Sequence, residues 1–95
     1  VKDMEKIISK SVGLKIRALR DIHGMSGKKL SKLMEISQQH LSRYENGEVN
    51  IHVDTLYQFS LIFSVDPIYF FTEFNKTNDK QDGKKRYYAA ESVVF

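Results

Sequence analysis

Only two residues, Glu35 and Ile36, separate two stretches that each read as a short helix. The first opens at Ser26, whose hydroxyl suits an N-cap, and runs from Gly27 to Met34 or Glu35. Leu30, Leu33 and Met34 form its apolar face; Lys28, Lys29 and Lys32 form the other. The second opens at Ser37 and closes at Asn46-Gly47, where glycine suits the left-handed backbone that ends many helices. Its only apolar residues, Leu41 and Tyr44, are three apart and make a narrow seam. So short a connection forces the two helices to pack across a tight turn, with the apolar Ile36 plugging the gap between them.

The opposite face of the second helix carries Gln38, Gln39, Ser42 and Arg43. Glutamine and arginine can make paired hydrogen bonds to adenine and guanine edges in the major groove. Two short helices around a tight turn, the second one exposed and so equipped, form a helix-turn-helix arrangement, and its reading is DNA recognition. Charge is distributed to match. Residues 1–34 hold nine Lys/Arg against three Asp/Glu, residues 35–74 one against six, and residues 75–95 five against three. A basic first third followed by an acidic middle gives a polar molecule with one face for an anion.

The remaining chain supplies a support for that pair. Residues 1–10, with Met4, Ile7 and Ile8, are an N-terminal extension: a leading turn, a continuation of the next helix, or a dimer arm. A helix follows over 11–23, with Ser11 as its cap, Val12, Ile16, Leu19 and Ile22 or His23 as its seam, and Gly24 as its stop. Beyond a connector at 48–52, a fourth helix from Val53 or Asp54 to Phe63 offers Leu56, Phe59, Ile62 and Phe63 to a core. Asp66-Pro67 starts a fifth, to Phe74. The expectation is an all-α, five-helix domain over 11–74. A polar linker begins at Asn75 and an apolar tail runs over Tyr87–Phe95. The fifth helix has more large apolar groups than one buried face needs, so Tyr69, Phe71 and Phe74, with Val93 and Phe95 of the tail, are candidates for a dimer interface.

Several chemistries find no footing here. There is no cysteine, and His23, His40 and His52 lack metal-ligand spacing, so neither a metal nor any other cofactor is expected. No nucleophile elbow or Gly-rich phosphate loop occurs, so an enzyme is not expected. No apolar run approaches the ~20 residues that span a bilayer. The expectation is a soluble, intracellular protein.

Over about residues 12–71 the chain resembles the DNA-binding domain of phage Cro and C1 repressors, the xenobiotic-response-element type of regulator. The resemblance rests on Ile16-Arg17-Ala18-Leu19-Arg20, Gly24-Met25-Ser26, Leu30-Ser31-Lys32-Leu33-Met34, Ile36-Ser37, Asp54-Thr55-Leu56, Val65-Asp66 and, most specifically, Leu41-Ser42-Arg43-Tyr44-Glu45-Asn46-Gly47. The aromatic end of the domain extends the likeness to regulators encoded within fimbrial operons of enteric bacteria. The resemblance implies a lambda-repressor-like fold, a palindromic operator bound by a homodimer, and base contacts from Gln38, Gln39, His40 and Arg43. It implies phosphate contacts from Ser26, Lys28, Lys29, Ser37, Ser42 and Asn46, and an ion pair between Arg20 and Glu45 that fixes the recognition helix. The sequence departs from the family at Gly27, where a phosphate-binding glutamine is usual, at Glu35, where the turn usually has a small residue, and at Ser31 in place of alanine. An alternative use of the tail is capture of a partner protein, as in antitoxins that also bind DNA.

Overall fold

The computed structural model describes residues 2–72. Four α-helices, α1 (Lys2–Ile22), α2 (Gly27–Met34), α3 (Gln38–Glu45) and α4 (Val53–Phe63), are followed by a 3-10 helix, Pro67–Phe71. The described residues include no strand.

α1 is one uninterrupted helix, so the segment read as an N-terminal extension continues straight into it. No proline interrupts residues 2–22, and Ile8 prolongs the seam of Val12, Ile16 and Leu19 by a further turn toward the core. Ser11 is therefore not a cap: it lies mid-helix, with its hydroxyl buried and without a hydrogen-bond partner among the described residues. Ile22 does not join the seam either, being 73% exposed. His23 lies just past the helix and leans on the core from outside, its ring 5.2 Å from that of Phe63 and its Nδ1 3.0 Å from the Leu19 carbonyl.

The core gathers one or more residues from every element: Val12, Ile16 and Leu19 of α1, Leu30 and Met34 of α2, Leu41 and Tyr44 of α3, Leu56, Phe59 and Phe63 of α4, and Phe70. Phe59 is its hub, stacked at 6.4 Å on Phe63 and met edge-on by Tyr44 at 6.0 Å. Leu33, read as part of the buried face of α2, is half exposed instead. A two-turn helix presents too narrow an inner face for three adjoining large residues, and Leu30 and Met34, four apart, occupy it.

The expected fifth helix begins as a 3-10 helix, Pro67–Phe71, with Thr72 helical after it; residues 73 and 74 lie outside the described residues. Its start is as read: the Asp66 carboxylate accepts from the Ile68 N–H, and Pro67 follows the cap. Three residues per turn then align Pro67 with Phe70. Phe70 is fully buried, Tyr69 half-buried with its ring 4.8 Å from Nζ of Lys15, and Ile68 and Phe71 exposed. Of the residues read as a dimer surface, Phe74, Val93 and Phe95 lie outside the described residues, as does the whole of the linker and tail.

All four α-helices end the same way. The backbone turns left-handed at Gly24, Glu35, Gly47 and Ser64 (φ +66°, +58°, +71° and +56°). The next N–H reaches back five residues, from Met25 to Arg20, Ile36 to Ser31, Glu48 to Arg43 and Val65 to Ser60. Glycine adopts this geometry freely; a residue with a Cβ is strained in it by about 1–2 kcal/mol. Glu35 bears that strain in the turn between α2 and α3. Glu35→Gly is expected to raise folding stability by about 0.5–1 kcal/mol, the relief less the extra freedom of the unfolded glycine. An upward shift of the urea midpoint at unchanged slope is the measurement that checks this.

Candidate nucleic-acid interface

α3 is short, and almost everything about its position is set by its ends and by one buried edge. At its start the Ser37 hydroxyl accepts the N–H of His40 at 2.9 Å. At its end Gly47 turns the chain away. Leu41, Tyr44 and Glu45 face inward and are buried, while Gln38, Gln39, His40, Ser42, Arg43 and Asn46 are all exposed. At about 100° per residue Gln39 and Arg43 project away from the buried edge of Leu41, Tyr44 and Glu45. Gln38 and Ser42 occupy one flank. His40 occupies the other, where its ring sits edge-on to Tyr44 at 4.5 Å. Asn46 Nδ2 is 3.4 Å from the Ser42 hydroxyl, so these two sit together beside the helix end.

α2 opens in the same manner, the Ser26 hydroxyl accepting the Lys29 N–H at 3.0 Å. In both caps the serine oxygen is used as an acceptor, which leaves its own proton to donate to an anion. Lys28, Lys29 and Lys32 are exposed along α2. Gly27 faces open space, so nothing in the fold requires a glycine there. Ser31 is buried and turns its hydroxyl onto the Lys28 carbonyl.

One side chain ties these pieces together. Arg20 of α1 donates from Nε to Glu45 Oε2 at 2.7 Å and from Nη2 to Glu45 Oε1 at 3.1 Å, a two-pronged bond across 25 residues of sequence. Its Nη1 donates to the Met25 carbonyl at 3.1 Å, in the turn just before the Ser26 cap. A single guanidinium thus holds the last turn of α3 and the approach to α2. The bond to Glu45 pushes Arg20 above its ordinary pKa, against the opposing effect of burial, with the charges of Glu45 and Asp21 adding to it. The group is charged at every working pH.

Two backbone approaches were missed from sequence. A Cβ at Gly13 in α1 would lie 2.4 Å from the Tyr44 carbonyl oxygen and 2.5 Å from that of Glu45. A Cβ at Gly47 would lie 2.6 Å from Cα of Lys10. α1 therefore lies directly on the C-terminal backbone of α3, and α1 and α3 make the most extensive helix packing in the domain. Gly13 stands in a helix without any local turn signal. Nothing near it in sequence separates a glycine kept for close packing from an incidental one.

A family model described as helix-turn-helix matches residues 16–70, more than half of the chain. The chain belongs to the Cro/C1-type helix-turn-helix family. No curated protein matches it. The Cro/C1-type match begins within α1 and ends at the buried Phe70, so it takes in Arg20, both serine caps and the whole of α3. Gly13 and Lys10 lie before it. Proteins of this helix-turn-helix family are DNA-binding regulators, and the chain is one of them. Among the described residues no helix is long and apolar enough to cross a membrane, and no cluster of His, Asp or Glu is placed to hold a metal ion.

Proposed function

We propose that this protein is a sequence-specific transcription regulator that binds a palindromic site on double-stranded DNA as a homodimer, with α3 in the major groove. The observation that carries the reading is the outward face of α3: Gln38, Gln39, Ser42, Arg43 and Asn46 are exposed on a helix whose other edge is locked to α1 by Arg20. Gln39 and Arg43 point farthest from the domain and are the primary base readers, glutamine for adenine and arginine for guanine. Gln38 and His40 reach bases from the flanks. Ser26, Ser37, Ser42 and Asn46 donate to phosphates, and Lys28 and Lys29 supply charge to the backbone that α2 crosses. One two-turn helix reads too few base pairs for useful selectivity, so two copies on half-sites one turn of duplex apart complete the reader.

The lysines provide a direct check. Each phosphate neutralised contributes about 0.9 to the slope of log affinity against log salt. Lys28→Ala/Lys29→Ala is expected to weaken binding of every duplex alike and to lower that slope by about 2 per protomer, with the preferred sequence unchanged. Fluorescence anisotropy over a salt series measures both quantities. Absence of duplex binding by the unmodified protein at low salt would refute the whole reading.

A further inference from the structure

α1 has a second apolar face. While Val12, Ile16 and Leu19 fill the core, Ile7, Leu14 and Ile22 are 55%, 65% and 73% exposed. With the exposed Ala18 between them they fall within about 80° of the helix circumference, outside the core seam. This strip runs almost the full length of a 21-residue helix. We propose that it is the surface on which a second copy of this chain docks, α1 against α1 in antiparallel orientation. The inference rests on the homodimer reading above and says which surface makes the dimer.

The strip is complementary to itself under a two-fold axis near Leu14 and Lys15, as a closed two-copy interface requires. Ile7 of one copy then faces Ile22 of the other. Ala18, small and exposed, lies across from the partly buried Ser11 of the other copy, so the helices can approach. The two Leu14 side chains flank the axis. Charge selects the direction. On one border of the strip stand Lys10 and Asp21, and antiparallel helices bring the same border of each together, so Lys10 meets Asp21 twice. A parallel pair would set Lys10 against Lys15 instead. That same border lies next to Gly13 and Arg20, where α1 carries α3. Antiparallel docking consequently puts both α3 helices on one side of the dimer, with Lys6, Lys10 and Arg17 of each copy between them, the side a palindromic duplex would occupy. A seam of one helix per copy falls at the low end for a specific interface, below about 1,200 Å², which gives a modest dimer that DNA reinforces.

The chain has no cysteine, so single introduced thiols report on the seam without background. Without DNA, Leu14→Cys is expected to form a covalent dimer with a short bis-maleimide. Ile7→Cys and Ile22→Cys each fail alone, and the Ile7→Cys/Ile22→Cys chain crosslinks. Leu14→Arg, a change at an exposed position, is expected to keep the thermal midpoint at concentrations where both proteins are monomeric, while raising the dimer dissociation constant at least tenfold by sedimentation equilibrium. The proposal is overturned if Leu14→Arg dimerises as the unmodified chain does, or if Ile7→Cys alone crosslinks efficiently. It is equally overturned if a monomeric Leu14→Cys/Ala90→Cys chain links internally, which would make the tail the occupant. Binding of random-sequence duplex at low salt, measured on the same proteins, keeps the two claims apart. A chain that binds duplex but shows none of these crosslinks refutes the docking face alone, and one that binds no duplex refutes the regulator reading beneath it.

Discussion

Arg20→Ala is expected to remove about 3 kcal/mol of folding stability, more than most single substitutions in a domain of this size. The loss does not come from a surface ion pair, which would be worth little. Glu45 is 8% exposed, and both its carboxylate oxygens are satisfied by the one guanidinium. Without Arg20 a charge is left in the interior with no donor, and the Met25 carbonyl also loses its bond. The cost is chiefly that of the abandoned partner. Arg20→Met/Glu45→Leu, which removes both charges at similar volume, is therefore expected to recover most of the loss. Chemical denaturation of the unmodified protein, Arg20→Met, Glu45→Leu and Arg20→Met/Glu45→Leu gives the coupling directly. If Arg20→Ala costs no more than a few tenths of a kcal/mol, the pair does not hold α3. The Arg20→Met/Glu45→Leu protein is expected to fold well yet bind DNA with lower affinity, because packing alone fixes α3 less tightly than a forked bond does.

Gly13→Ala is expected to cost about 2–3 kcal/mol, although alanine is the better helix former. The added methyl would overlap the carbonyl oxygens of Tyr44 and Glu45. Those are backbone atoms at the end of α3 and cannot rotate aside as a side-chain tip can. Either α1 shifts outward, which opens the core at Ile16, or the last turn of α3 moves, which lengthens the Arg20–Glu45 bond. The sign is diagnostic. At an uncrowded helix position glycine to alanine stabilises by up to about 1 kcal/mol, so a rise in the melting temperature of Gly13→Ala would show that α1 and α3 are not in backbone contact.

These two predictions also mark where the sequence was legible. Ser26, Ser37, Gly24, Gly47 and Asp66-Pro67 act on residues within a turn of themselves, and each is where its local chemistry puts it. The division into short helices followed from them. The Arg20–Glu45 bond spans 25 residues, and no periodicity pairs them; the family's pattern did. Gly13 escaped even that, since it is not among the residues that carry the resemblance and its partner is backbone. Leu33 reads as buried, and Ile22 reads as an alternative to His23, because apolar spacing marks a face but not its width. The 3-10 geometry of Pro67–Phe71 depends on which aromatic the core accepts, and the core accepts Phe70. On the candidate interface, residue types mark Gln38, Gln39 and Arg43 as candidates, and all three are exposed. The division between Gln39 and Arg43 at the tip and Gln38 and His40 at the flanks needed the buried edge of Leu41, Tyr44 and Glu45.

The central claim is that α3 reads base sequence. The measurement that tests it most directly is selection of bound sites from random duplex DNA, run in parallel with the unmodified protein and with Gln38→Ala/Gln39→Ala. The unmodified protein is expected to select two inverted half-sites one helical turn apart, each with adenine and guanine at fixed positions. The variant is expected to fold normally, since both glutamines are exposed. It should lose about 1–3 kcal/mol of discrimination at the adenine positions alone while keeping its preference where Arg43 reads guanine. An unchanged selected sequence from the variant would contradict the claim that this helix is the reader.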